Sequence, residues 1–205
     1  MNYIFFDVDG TLHREDIFVA FIKFAISKRR FNCLIFLPMI AVSFILYSLK
    51  PKAKSPLNGI LFLLFLGISE YRLNFIINEF CGHFKKNYTI FKNINEKLQK
   101  HILDGSRVVI ISGTPVELIA KIYPNYANDS NIDIIASTMK KQYFSYFLKE
   151  RCIDNHKKTM LYNYYDKNLV FSHGYSDSLS DKPILELCRE AYMVGKFGEL
   201  TPYCK

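Results

Sequence analysis

No CxxC pair occurs in this sequence, and its five cysteines, Cys33, Cys81, Cys152, Cys188 and Cys204, are odd in number. Both facts argue against a closed disulfide framework and fit a reducing compartment. A charged N-terminal region followed by a cleavable apolar segment is also missing. Strand-like residues start at position 3, so no secretory signal is expected and the folded part of the chain is placed in the cytoplasm. Repeats and low-complexity tails are lacking. The five histidines, His13, His83, His101, His156 and His173, fall at no ligand spacing, so they read as core or surface side chains rather than zinc ligands.

Acidic residues are outnumbered: 27 lysines and arginines face 19 aspartates and glutamates, for a formal net charge of +8. Such a surface attracts something anionic. The basic residues gather at Lys28-Arg29-Arg30, Lys50 to Lys54 and Lys85-Lys86, beside apolar runs rather than interleaved with aromatics. That pattern favours a membrane over nucleic acid as partner. No protein partner is inferred. With 205 residues, half of them hydrophobic, the chain suffices for one α/β domain plus an insertion.

Short apolar runs at residues 3–6, 107–112, 132–136 and 168–172 predict strands, and helical patterns accompany them at 94–103 and 183–188. Together they predict an α/β fold with a mainly parallel sheet and helices on both faces. Residues 139–150 predict a small hairpin or edge strand. Between the first strand and the rest lies FNCLIFLPMIAVSFILYSL, residues 31–49, which holds no charged residue. It is about as long as a bilayer-spanning helix. A second uncharged run, SPLNGILFLLFLGI at 55–68, is shorter and reads equally well as a buried cap helix.

In an open parallel sheet, ligands bind beyond the carboxyl ends of the strands. The first strand ends in Asp7-Val8-Asp9-Gly10-Thr11, where two negative charges side by side repel unless a cation or a shared proton relieves them. A later strand ends in Ser112-Gly113-Thr114-Pro115. Residues 151–158, RCIDNHKK, head a helix, and GYSDSLSD at 174–181 follows the last predicted strand.

DVDGT, IISGTP, a lysine and GYSDSLSD, in that order, resemble the four motifs of the haloacid dehalogenase (HAD) superfamily of aspartyl-phosphate phosphatases. With DGTLHREDIF, the apolar stretch, the RC before the lysine and a closing GEL, the chain further resembles the phosphatidylglycerophosphatase C family of bacterial membrane phosphatases. The resemblance implies a HAD-like Rossmannoid core at residues 1–15 and 90–205, and a helical cap at 16–89 carrying a membrane-associated hairpin at about 31–68.

It also implies roles. Asp7 is the expected nucleophile, and Asp9 the general acid that protonates the leaving oxygen and then the base that activates water. Dehalogenating and phosphonate-cleaving relatives lack this second aspartate, so its presence points to phosphate esters. Gly10, Thr11, Ser112 and Gly113 are expected to bind phosphate, with the Thr114 amide as a further donor. Lys157 or Lys158 balances the charge of Asp7 and the phosphate, and helix spacing to Leu161 favours Lys157. Mg²⁺ is the implied cofactor, held by Asp7, the Asp9 carbonyl and Asp177, with Asp181 either a direct ligand or behind one.

Asp7 precedes the apolar run whereas Ser112, Lys157 and Asp177 follow it, so the chain crosses a bilayer an even number of times or not at all. Two crossings would put the lysines of the 50–55 loop on the far side. The favoured reading is a hairpin broken at Pro38 and around 51–56, embedded from the cytoplasmic face of the bacterial inner membrane, with a lipid phosphomonoester as substrate. A soluble phosphatase for a metabolite such as phosphoserine is the alternative. A catalytically idle membrane-binding module is the remote one.

Overall fold

Val108 and Ile110 point to one side of the central sheet and Val109 and Ile111 to the other, and all four are fully buried. Side chains alternate along a strand, so a strand apolar on both parities needs protein on both faces. The computed structural model, which describes residues 2–204, supplies it.

The strands are β1 (Tyr3–Phe6), β2 (Arg107–Pro115), β3 (Ile132–Gln142), β4 (Ser145–Glu150), β5 (Phe171–Ser176), β6 (Cys188–Val194) and β7 (Leu200–Pro202). They form one sheet in the order β4-β3-β2-β1-β5-β6-β7. The five inner strands run parallel, and β4 and β7 close the edges antiparallel. Helices α1 (Ile17–Lys28), α2 (Arg30–Ile35), α3 (Leu37–Leu49), α4 (Lys54–Phe65) and α5 (Glu70–Asn87) separate β1 from α6 (Lys92–Leu103) and β2. Then come α7 (Val116–Ile122) and α8 (Pro124–Ala127) before β3, α9 (Asn155–Leu161) before β5, and α10 (Lys182–Leu185) before β6. The apolar side chains of α1, α4, α5 and α6 share one core with Ile4 and Phe6, whereas Met160, Leu161, Ile184 and Leu185 pack with Phe5 on the other face.

The sequence places β1 to β5, some with their ends misjudged, and misses β6 and β7. The strand predicted at 168–172 starts at Phe171, because the Asp166 carboxylate accepts the Asn168 N–H at 2.7 Å and turns the chain first. The helix predicted at 183–188 stops at Leu185, and Cys188 opens β6, a strand the sequence reading lacks. Arg189 and Glu190 hide it. The hairpin expected within 139–150 forms from the end of β3 and β4, turning at Tyr143 and Phe144 with φ of 50° and 60°.

The two uncharged runs have different fates. Residues 31–49 break into α2 and α3, with Pro38 in the first turn of α3. Among the described residues no single helix is long and apolar enough to cross a membrane. The second run becomes α4, whose Leu57, Ile60, Leu61, Leu64 and Phe65 are buried, so it is a core helix and not the second arm of an exposed hairpin. Asn58 explains its docking: the amide donates to Leu148 O at 3.1 Å and accepts from Leu148 N at 2.9 Å, pairing with β4 as a neighbouring strand would. Arg29 and Asn32 meanwhile donate to the free carbonyls of Leu63, Leu64 and Leu66 at the end of α4.

Candidate active site

Asp7 leaves β1 with its N–H on Tyr175 O at 3.0 Å, so its carboxylate emerges between β2 and β5, at the carboxyl edge of the sheet. The chain then turns at Gly10, whose φ of +76° suits a residue without a Cβ. A Cβ there would also collide with the Asp177 carboxylate, which lies against this turn. Thr11 ties the same two segments together, since its Oγ1 accepts the Asp177 N–H at 3.0 Å while its own N–H donates to Val8 O.

Of the two candidate lysines, Lys157 is the buried one. Its Nζ donates to Asp7 Oδ1 at 2.7 Å and to Asp181 Oδ2 at 2.8 Å, and Asp181 Oδ1 lies 2.7 Å away. Lys158 instead lies over the ring of Tyr162. Burial pulls the Lys157 ammonium down, but the two carboxylates outweigh it and hold the group above its ordinary value. Asp181 is 1% exposed and also accepts from Ser176 Oγ at 2.8 Å, so it stands behind the site and fixes the lysine.

The end of β2 faces Asp9. Thr114 Oγ1 donates to Asp9 Oδ2 at 2.7 Å, Ser112 Oγ lies 3.4 Å from the same oxygen, and Ile17 N donates to Asp9 Oδ1 at 2.8 Å. The Thr114 N–H, expected as a donor to phosphate, is taken by Ser112 Oγ at 3.1 Å. Gly113 passes close to Ile153, where a Cβ would lie 3.0 Å from its Cγ2. Among the expected residues, Asp7, Asp9, Gly10, Thr11, Ser112, Lys157, Asp177 and Asp181 are linked by these contacts into one site.

Charge at the site does not balance. Burial pushes the Asp7 carboxyl well above its usual range, and Asp181, Asp9 and Asp177 add to the effect against the pull of Lys157. Burial and then Asp181 raise Asp177 to about 6. Four carboxylates around one ammonium leave room for a divalent cation. Among the described residues no three histidine, cysteine, aspartate or glutamate side chains form a ready metal cluster. A donor set of two carboxylates, Asp7 and Asp177, plus the Asp9 carbonyl suits Mg²⁺, which keeps several waters. Beside it opens a cleft of ≈ 390 Å³ lined by Gly10, Asp177, Arg14 and Lys196 among others.

A family model described as haloacid dehalogenase-like hydrolase matches residues 4–186, from β1 through α10. The chain belongs to that family. The hydrolase fold is shared with a protein of unknown function from Bordetella pertussis Tohama I (17% identity, TM-score 0.73, covering 93% of this chain and 89% of that one). A phosphoserine phosphatase studied as a phospho-aspartyl intermediate analogue is similar at 14% identity and a TM-score of 0.58, over 93% of this chain and 84% of its own. A phosphoserine phosphohydrolase-like protein from Francisella tularensis subsp. tularensis SCHU S4 has 18% identity and a TM-score of 0.58, over 93% and 86%.

Within the four motifs and beside them, this HAD-like site has side-chain roles that sequence reasoning passed over. Thr114 binds Asp9 through its side chain rather than its amide. Asp16 caps α1 by accepting from Val19 N at 2.7 Å, and its carboxyl is raised by burial and by Asp9. Ser176 holds Asp181. Asp16, immediately before an apolar helical pattern, was findable as an N-cap. Nothing local marks the other two.

Proposed function

We propose that this chain is a Mg²⁺-dependent phosphomonoester hydrolase that works through an aspartyl-phosphate on Asp7. The observation that carries the reading is the buried bridge of Lys157 between Asp7 and Asp181, beside an Asp9 held by hydrogen bonds from β2 and α1. An Asp7 oxygen attacks phosphorus as the bond to the leaving oxygen breaks, and Asp9 gives that oxygen its proton. Water then attacks phosphorus, Asp9 takes up its proton, and the bond from phosphorus to Asp7 breaks to release inorganic phosphate. Lys157 keeps the attacking carboxylate oriented and offsets charge on the transferred group. Bound Mg²⁺ would supply charge neutralisation of the phosphoryl oxygens.

For the substrate, the reading is phosphatidylglycerophosphate, hydrolysed to phosphatidylglycerol at the cytoplasmic face of a bacterial inner membrane. The outer surface of the cap supports it. Leu34, Ile35, Leu37, Met39, Val42 and Ile45 are each more than half exposed, although burying such a side chain is worth about 1.5–3 kcal/mol. An apolar groove of ≈ 660 Å³ runs between α3 and α4, lined by Met39, Val42, Phe62 and Leu63 among others. Exposed Arg30 and Lys50 flank this surface, whereas Lys52 pairs with Asp154 at 2.7 Å and Arg29 is spent on α4. Likeness to phosphoserine phosphatases favours a second reading, a small soluble phosphomonoester such as phosphoserine.

One triple variant separates the two. Replacing Leu37, Val42 and Ile45 by serine leaves hydrolysis of p-nitrophenyl phosphate unchanged and, on the lipid reading, lowers turnover of phosphatidylglycerophosphate in anionic vesicles by at least about tenfold. Undiminished vesicle turnover, or a wild-type protein that prefers phosphoserine, decides for the soluble substrate. Asp7→Asn with full activity removes the phosphatase reading altogether.

A further inference from the structure

His13 is fully buried, yet among the described residues one of its ring nitrogens has no hydrogen-bond partner. Its backbone is pinned by bridges to Asp9 and to Ile90. Phe84 and Tyr88 meet the ring edge-on at 5.6 and 5.7 Å. Nδ1 lies 2.7 Å from the Tyr123 hydroxyl, while Nε2 is buried without a partner and faces Asp9 Oδ1 at 3.6 Å. Leaving a buried polar nitrogen unpaired is unfavourable, so the arrangement calls for a compensating role.

The Tyr123 hydroxyl can donate to Nδ1 or accept from it, and the oxygen that faces Nε2 decides which. Were Nδ1 the protonated nitrogen, the bare lone pair of Nε2 would face Asp9 Oδ1, an oxygen that already accepts the Ile17 N–H. The ring therefore carries its hydrogen on Nε2, aimed at Asp9.

We propose that His13 is a positioning residue: with Tyr123 fixing its tautomer, its Nε2–H closes onto Asp9 Oδ1 in the substrate complex and holds the carboxyl turned toward the leaving oxygen. Catalytic hydrogen bonds are commonly long before substrate binds and shorten in the complex. Beside Ile17 N, Thr114 Oγ1 and Ser112 Oγ, the imidazole gives the Asp9 carboxyl a fourth protein donor. The inference rests on the reading of Asp9 as general acid.

The test compares leaving groups. The kcat/KM value covers steps up to loss of the leaving group, and an aryl phosphate needs little protonation there whereas an alkyl phosphate needs much. In His13→Phe and in Tyr123→Phe, kcat/KM for glycerol phosphate should fall about 30-fold or more and that for p-nitrophenyl phosphate less than about threefold. His13→Gln, which keeps a donor, should recover part of the loss. Asp9→Asn is the control: if it shows no selectivity for the aryl ester, the reading of Asp9 fails. If Asp9→Asn is selective but both His13→Phe and Tyr123→Phe slow the two esters equally, the positioning role is overturned. Tyr123→Phe, nearly isosteric, keeps the test informative should His13→Phe not fold.

Discussion

Lys157 Nζ stands 2.7 Å from Asp7 Oδ1 across 150 residues of sequence, with both side chains almost wholly buried. Removing one partner of a buried ion pair strands the other charge, which costs about 3–5 kcal/mol. Lys157→Met should therefore lower the free energy of unfolding in urea by about that amount as well as abolishing activity. A stability within about 1 kcal/mol of wild type would mean the carboxylates are not held charged by this lysine.

Acid and Mg²⁺ should compete for the site. A carboxyl whose folded value lies above its unfolded one contributes stability that is complete below the unfolded value and lost as pH rises through the folded one. Asp177 is raised to about 6 and Asp7 is raised too, so metal-free protein should melt at a higher temperature at pH 5 than at pH 7.5. Asp133, which burial raises but which hydrogen bonds from Arg107 and Tyr165 bring below its ordinary 3.8, loses its contribution only at lower pH. The rise in melting temperature on adding Mg²⁺ should be largest at pH 7.5 and shrink below about pH 6. A Mg²⁺ effect that grows with acidity would contradict the assignment.

Gly10→Ala puts a Cβ into the Asp177 carboxylate and strains a backbone at φ +76°. The strain alone costs about 1–2 kcal/mol. Because the carboxylate must move, the Mg²⁺ concentration for half-maximal activity should also rise by roughly tenfold or more. Unchanged Mg²⁺ activation would show that Asp177 does not serve the metal.

Asn58→Leu tests how the cap is fixed to the sheet. It removes both amide bonds to Leu148 and leaves that backbone unpaired in a buried place, for a loss of about 1–3 kcal/mol in chemical unfolding. Loss of less than about 0.5 kcal/mol would mean that apolar packing of α4 alone holds the cap.

Much of the site was legible because each strand end carries its own motif: Asp7 and Asp9 after β1, Ser112 in β2 and Asp177 after β5 are readable without coordinates. Lys157 was legible through the order of the family motifs, the RC stretch upstream and the helix spacing to Leu161, and it is the buried one of the two lysines whereas Lys158 lies over Tyr162. Strand β6 was not, because Arg189 and Glu190 break the apolar pattern that edge-ward pairing with β5 and β7 tolerates. The apolar runs were readable as apolar but not as inside or outside. Lipid and a protein core select the same side chains, and it is the buried face of α4 with the pairing of Asn58 to Leu148 that places α4 within the fold. His13 was illegible for another reason: its partner Tyr123 lies 110 residues away, so no local pattern marks it.

The most direct test of the account is to quench the wild-type enzyme with acid during turnover, reduce any acyl phosphate with borohydride and map the modified residue by mass spectrometry. Modification at Asp7, absent from Asp7→Asn, is the predicted result. Modification at a different residue, or rapid turnover with none at all, would contradict it.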